Sequence, residues 1–330
     1  MINKKLTLFL FIIALQSFLY GQSKLAQTGF QFLSVLPDAR AASLAGAMTT
    51  VENYSGALWN NPAMLAETKQ TFDLMIGMNT WIADINHNVL SFSFRPSKGE
   101  YGIFGMHFRY VDYGQVEGTL LASNEQGFIN TGIIEPYAYS FGLGYARALT
   151  DKFTVGGQIR IAGQYLGPVT ESFSEDDEMI KQKQMKRSVF VYDFGTYYKT
   201  GWESIVFGMS VRNFSEEIKF SQENFQLPLT FTIGASANLM DFLPAFADIE
   251  YLLFTLDAVH PRSHPEYIKT GLEVRLLKMF ALRAGYMSNI DEANLTFGFG
   301  VRKYGFNIDY AYIPYGVFDH VQRFSLRFNL

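Results

Sequence analysis

Nine arginines stand out by position: Arg95, Arg109, Arg160, Arg212, Arg275, Arg283, Arg302, Arg323 and Arg327 share residue parity with nearby small or polar residues, while phenylalanine and leucine take the other parity. Asp193, Glu273 and Asp309 fall on the same parity and could supply counter-charges. Fixed guanidinium groups facing an enclosed space can select a ligand, or they can brace a wall and whatever fills it through salt bridges. The pattern favours bracing.

Other groups that could do chemistry are weaker candidates. His260, His264 and Glu266 lie close together in "HPRSHPE", and two histidines four residues apart on a helix would suggest a metal site. Pro261 and Pro265 prevent that helix, so an ordered outer loop is expected and no metal. The acidic-then-basic run "SEDDEMIKQKQMKR", 174–187, reads as a solvated loop. Motifs of a nucleophile elbow, a P-loop or a zinc protease are missing, and "GFGVRKYG" precedes no helix. With no cysteine in 330 residues, disulfides, thiolate metal sites and cysteine nucleophiles are excluded. A net charge of -4 gives no footprint for nucleic acid. The expectation is a protein that is not an enzyme and holds no cofactor.

The elements that carry these residues are strands. From about residue 70 onward apolar and polar residues alternate, as in "FTVGGQIRIAGQY", "LTFTIGASANL" and "LTFGFGVR". Strands are expected near 70–80, 86–96, 101–113, 136–149, 151–166, 189–200, 204–214, 227–239, 247–258, 266–278, 279–288, 294–303, 304–313 and 321–330. Most reach the length a tilted membrane-spanning strand requires. Connections alternate between short and longer, the longest near 114–135 and 167–188, as in a transmembrane barrel with tight periplasmic turns and longer outer loops. The expected fold class is therefore all-β, a transmembrane antiparallel β-barrel of about 14 strands. Its Phe/Leu/Ile/Val face meets outer-membrane lipid and its small and charged face lines the lumen. Trp81, Tyr101, Tyr113, Tyr137, Trp202, Tyr267 and Tyr304 are expected in the interfacial girdles. The chain stops on an alternating strand with Phe324, Leu326, Phe328 and Leu330 on one face, an assembly signal for barrel assembly machinery.

Residues 1–21 read as a cleaved signal peptide, with Lys4 and Lys5 before an apolar stretch and Gly21 at a plausible cleavage point. Residues 22–68 do not alternate. They are rich in small side chains, and Asn61 before Pro62 reads as an N-cap that starts a short helix through about Glu67. A partly helical hatch, or plug, filling the lumen of a barrel at 69–330 accounts for them.

The hatch motif resembles the N-terminal signature of PorV/PorQ-type proteins, a type IX secretion-associated branch of the FadL-like outer-membrane barrels. The matching positions are Phe30 and Phe32, the run Ala39, Arg40, Ala41 and Ala42, then Gly46, and Asn61, Pro62 and Ala63, with Trp59 and Asn60 completing the hatch motif. The doubled Asn60-Asn61 and Met64 depart from the tryptophan-asparagine-proline-alanine-glycine that many members carry there. The resemblance implies an outer-membrane barrel with a hatch, and two activities. One is a type IX accessory that binds the C-terminal domains of exported cargo, together with translocon components, and shuttles cargo at the cell surface. The alternative is a FadL-like transporter of hydrophobic small molecules. A purely structural barrel is a third reading.

Overall fold

Alternation in the sequence becomes two-faced strands. In β1 (Phe72–Thr80), Asp73, Met75, Gly77 and Asn79 are buried, whereas Phe72, Leu74, Ile76 and Met78 stand outward and exposed. The same segregation runs through β2 (Asn86–Phe94), β3 (Ile103–Asp112), β6 (Tyr137–Ala148), β7 (Phe153–Ser172), β8 (Lys181–Lys199), β9 (Val206–Phe214) and β12 (Thr230–Asn238). It continues in β13 (Ile249–Pro261), β14 (Tyr267–Leu276), β15 (Phe280–Met287), β16 (Leu295–Lys303), β17 (Phe306–Pro314) and β18 (His320–Asn329). These fourteen strands form a closed antiparallel barrel in which β18 pairs with β1, Ile76 opposite Leu326. Closure removes every edge, which is what a strand protein must do where no water can pair its backbone. The computed structural model describes residues 28–121, 125–172, 181–219, 224–242, 249–290, 293–318 and 320–330. The expected signal peptide at 1–21, the start of the expected hatch at 22–27 and positions 174–180 of the acidic-basic run lie outside the described residues.

One end of the barrel carries tight turns. Between β16 and β17, Tyr304 and Gly305 have φ of 54° and 81°, the left-handed pair of a type I′ hairpin, and the ladder closes on Lys303 opposite Phe306. This turn end also holds the start of β1 and the end of β18. The loop end departs from expectation. Where a loop was expected at 114–135, β4 (Val116–Leu121) and β5 (Phe128–Ile134) form a hairpin outside the barrel sheet. A second small pair joins β10 (Ile218–Lys219) to β11 (Asn224–Phe225). Much of the loop expected at 167–188 is strand: β7 and β8 stay paired out to Ser172 opposite Lys181. Polar residues such as Lys183, Gln184, Lys186 and Arg187 occupy both parities there, so no apolar face marks the strand although the backbone still pairs.

The hatch runs through the lumen from the loop end, where Thr28 bridges Gln226, to the turn end, where β1 begins. It consists of one short α-helix, Ala39–Ser43, and 3₁₀ turns at Gln31–Ser34, Tyr54–Trp59 and Pro62–Glu67. Asp38 caps the helix by accepting from the Arg40 N–H at 2.9 Å. Gly46, with φ 75°, closes it by donating its N–H to the Ala41 carbonyl at 2.8 Å. Asn61 caps the last turn as expected, accepting from the Ala63 N–H at 3.1 Å with Pro62 in the first position.

Candidate functional site

The inner wall admits the hatch because it is stripped of side chains where the two meet. Gly77, Gly105, Gly144, Gly156, Gly195, Gly208, Gly234, Gly271, Gly285 and Gly298 lie on ten different barrel strands, and a Cβ on each would strike or crowd the hatch or a wall side chain beside it. At Gly195 a Cβ would lie 1.7 Å from Asn61 Oδ1, and at Gly156 2.6 Å from the Ala63 nitrogen. The strand register sets many of these glycines side by side, Gly105 opposite Gly144, Gly156 opposite Gly195, Gly208 opposite Gly234 and Gly271 opposite Gly285. The result is a belt on which irregular hatch backbone rests directly against wall backbone.

Buried irregular backbone needs partners, and wall side chains provide them. Asp257 accepts from the N–H groups of Met48 (3.0 Å) and Thr49 (3.1 Å) and from the Thr49 hydroxyl (2.7 Å). Thr296 accepts from the Ala45 N–H at 3.0 Å, Asp73 from the Ser55 N–H at 2.9 Å, and Thr255 donates to the Ala47 carbonyl at 3.0 Å. Gln158 donates to the Leu58 carbonyl and Asn61 to the Thr196 carbonyl, at 2.7 and 3.1 Å.

The expected lumen arginines divide by height. Above the belt, toward the loop end, Arg109 donates to the Phe32 carbonyl and lies 4.9 Å above the Trp59 ring, and Arg212 donates to the Trp59 carbonyl at 2.5 Å. Arg160 pairs with Asp193 at 2.8 Å, and Arg323 stacks 5.2 Å from the Trp81 ring. Below the belt, Arg40 of the hatch pairs with Glu273 (2.8 Å), which also takes Arg275 and Arg283, while Arg283 reaches Asp309 at 2.7 Å. One of the expected lumen charges sits elsewhere, and another lies at the mouth of the lumen. Arg95 folds onto the turn after β2 and donates to the Lys69 carbonyl at 2.8 Å, because its position lies past the end of the strand. Arg302 has the inward parity but is exposed at the turn-end mouth. Trp59 tilts against His107, with ring centres 4.1 Å apart, and Asn60 is buried beside it. Phe324, Leu326 and Leu330 stand exposed on the outer face of β18, with Phe328 partly so. His260 pairs with Glu266 at 2.8 Å, and among the described residues no cluster of three or more His, Asp or Glu could hold a metal.

Above the hatch lies a cavity of about 480 Å³. Phe32 and Val35 of the first hatch turn form one side, and Trp81, Ile85, Tyr113, Tyr267, Ile290 and Tyr315 form the walls. Polar residues line it as well, among them Gln31, His87, Arg212, His264, Lys269 and Asn289. A smaller cavity of about 160 Å³ shares Val35, Trp81, Tyr267 and Lys269 and extends to Arg323. Trp81, Tyr113 and Tyr267 were expected in the lipid-facing girdle, but each follows the inward parity of its strand and turns to the cavity. Parity was the signal that could have placed them. Burial pushes the Tyr113 phenol up to about 12.

Solved structures share this architecture. The toluene transporter TbuX of Ralstonia pickettii superposes with a TM-score of 0.59 at 12% identity, covering 88% of this chain and 98% of its own. The CymD monoaromatic hydrocarbon channel gives 0.58 at 12% identity, over 90% and 98% of the two chains. For the Pseudomonas putida toluene transporter TodX the values are 0.55 and 13%, over 93% and 98%. The fold is that of these hydrocarbon channels. It agrees with the closed barrel of about 14 strands expected from the alternation in the sequence. No protein-family model matches the chain. No curated protein matches it by sequence.

Proposed function

We propose that this protein is an outer-membrane channel that admits hydrophobic small molecules, the second of the two activities implied by the hatch motif. The observation that carries it is the cavity walled by Phe32, Trp81, Tyr113, Tyr267 and Tyr315, set above a hatch that rests on the wall. An aromatic-walled cavity of about 480 Å³ suits a small apolar molecule that water solvates poorly. The outward faces of β1, β3 and β16, with Ile76, Phe104, Phe108, Phe297 and Phe299 exposed, suit a bilayer. The loop end then faces outward and the turn end the periplasm. Similarity in fold to toluene and monoaromatic hydrocarbon channels supports the same reading. The test is uptake of radiolabelled toluene by cells expressing the protein, paired with titration of purified protein followed by tryptophan emission. Saturable quenching and faster uptake are expected; unsaturable partitioning in both assays would rule the channel out.

A second reading, the type IX secretion accessory, draws on the hatch motif and on the β4–β5 hairpin, where Val116, Leu121, Ile129 and Ile133 are exposed and available to a protein partner. Cargo or translocon components recovered with the detergent-solubilised protein would favour it. Their absence would leave the channel reading alone.

A further inference from the structure

The turn end of the lumen holds a second cavity, of about 490 Å³, whose chemistry is unlike the first. Among the described residues six cationic side chains line it, Arg40, Arg275, Lys278, Arg283, Arg302 and Arg327, against one lining carboxylate, Asp309. Behind them stand Glu273, Asp38, Asp73 and Glu52, which with Asp309 leave a small excess of positive charge among the described residues. Glu273, fully buried, receives hydrogen bonds from Arg40 at 2.8 and 3.1 Å, from Arg275 at 2.9 Å and from Arg283 at 2.6 Å. Three guanidinium groups thus share one carboxylate, and Asp309 accepts only from Arg283. Arg327 lies 3.6 and 3.7 Å from Asp38 and Asp73. Lys278 and Arg302 are exposed at the mouth.

We propose that this cavity binds a phosphate or carboxylate group of a water-soluble molecule entering from the turn end. Guanidinium forks match both anions in a bidentate way, and several held in fixed positions give an anion more than one fork at once. The rigid part is already built: Glu273 holds Arg40 on the hatch side and Arg275 and Arg283 on β14 and β15. Arg275 stays partly exposed, with its guanidinium carbon 4.6 Å from the Tyr251 ring. Lys278 and Arg302 are left to close on the ligand. Arg275, Arg283, Asp309 and Arg327 follow the inward parity of their strands, and the mouth opens at the turn end, where Lys278 and Arg302 are exposed. The cavity exceeds a bare phosphate, which leaves room for a small organic phosphate or a dicarboxylate. The site stands apart from the aromatic cavity and does not depend on the channel reading.

The experiment uses the full-length protein in dodecyl maltoside. Equilibrium dialysis with radiolabelled orthophosphate, and calorimetric titration with succinate, are expected to show saturable binding that tightens as salt is lowered. The double variant Lys278→Gln/Arg302→Gln is expected to weaken binding at least about ten-fold. Lys152→Gln, an exposed lysine on another turn at the same end, is expected to leave it unchanged. Heat-dependent gel migration and tryptophan emission report whether each variant folds, and Arg275→Gln provides a second test if the double variant does not. Absence of saturable binding, or equal affinity in the wild type and a folded variant, overturns the site. A last arm repeats the dialysis in nanodiscs with and without phosphatidylglycerol. Undiminished phosphate binding supports a water-borne ligand, whereas displacement by that lipid overturns it in favour of a lipid headgroup.

Discussion

The two halves of the lumen, above and below the glycine belt, have cavities of nearly equal size, about 480 and 490 Å³, one richer in aromatic rings and the other in arginines. Above, aromatic rings form much of the wall and Arg109, Arg212 and Arg323 are tied to hatch carbonyls or rings, while Arg160 pairs with Asp193. Below, the arginines are tied to one another through Glu273 and Asp309. Inward charge in a barrel therefore has two uses within one wall. A guanidinium that meets a carbonyl helps hold irregular chain in place, while guanidiniums gathered on a shared carboxylate leave positive charge over. The belt keeps the two regimes apart, because wall and hatch backbone touch there and leave little space between.

Four experiments would break or sharpen that contrast. The largest effect is expected for Glu273→Gln, which leaves buried Arg40 and Arg283 and partly exposed Arg275 without their shared carboxylate; breaking a buried ion pair from one side costs about 3–5 kcal/mol. Guanidinium unfolding monitored by tryptophan emission measures it, and a loss below about 1 kcal/mol would mean the lower network is not a structural hub. Next is Gly195→Val, where the added atoms collide with Asn61; overpacking of this kind costs about 1–3 kcal/mol. Displacing the hatch there should raise single-channel conductance in planar bilayers, and wild-type conductance in a folded variant would show that the belt does not seal the lumen. Trp81→Ala removes a wall of the upper cavity. About ten-fold weaker toluene binding is expected, near 1.4 kcal/mol, with phosphate binding at the lower site unchanged. Equal losses at both sites would erase the distinction between the halves. The smallest effect belongs to Asn61→Ala, which removes the cap of Pro62–Glu67 and costs about 1 kcal/mol.

Much of the fold was legible in the sequence because strand parity is a local property. Fourteen alternating segments, an outward apolar face and a final strand ending in Phe324, Leu326 and Phe328 foretold a closed barrel, and β18 does pair with β1. The Asn61–Pro62 start of the last hatch turn was equally local. Legibility failed where parity carried no contrast, in the polar extensions of β7 and β8 and in the β4–β5 hairpin. It also failed at Trp81, Tyr113 and Tyr267, where the habit of aromatic residues at interfaces outweighed a parity that pointed inward.

The candidate site was legible only in parts. Arg40 and Glu273 were both singled out, yet nothing in the chain joins two residues 233 positions apart. Their meeting depends on the barrel register and on the path of the hatch. The same is true of the belt: each glycine looks like an ordinary small residue within its strand, and only cross-strand pairing such as Gly105 opposite Gly144 aligns them into a seat. Alternation, capping and charge type were thus determined by the sequence itself, since each acts over a few residues. Which arginine shares which carboxylate, and that aromatic and arginine-rich cavities lie on opposite sides of one hatch, were decided by tertiary structure, because closure of the barrel sets the distances between strands remote in the chain.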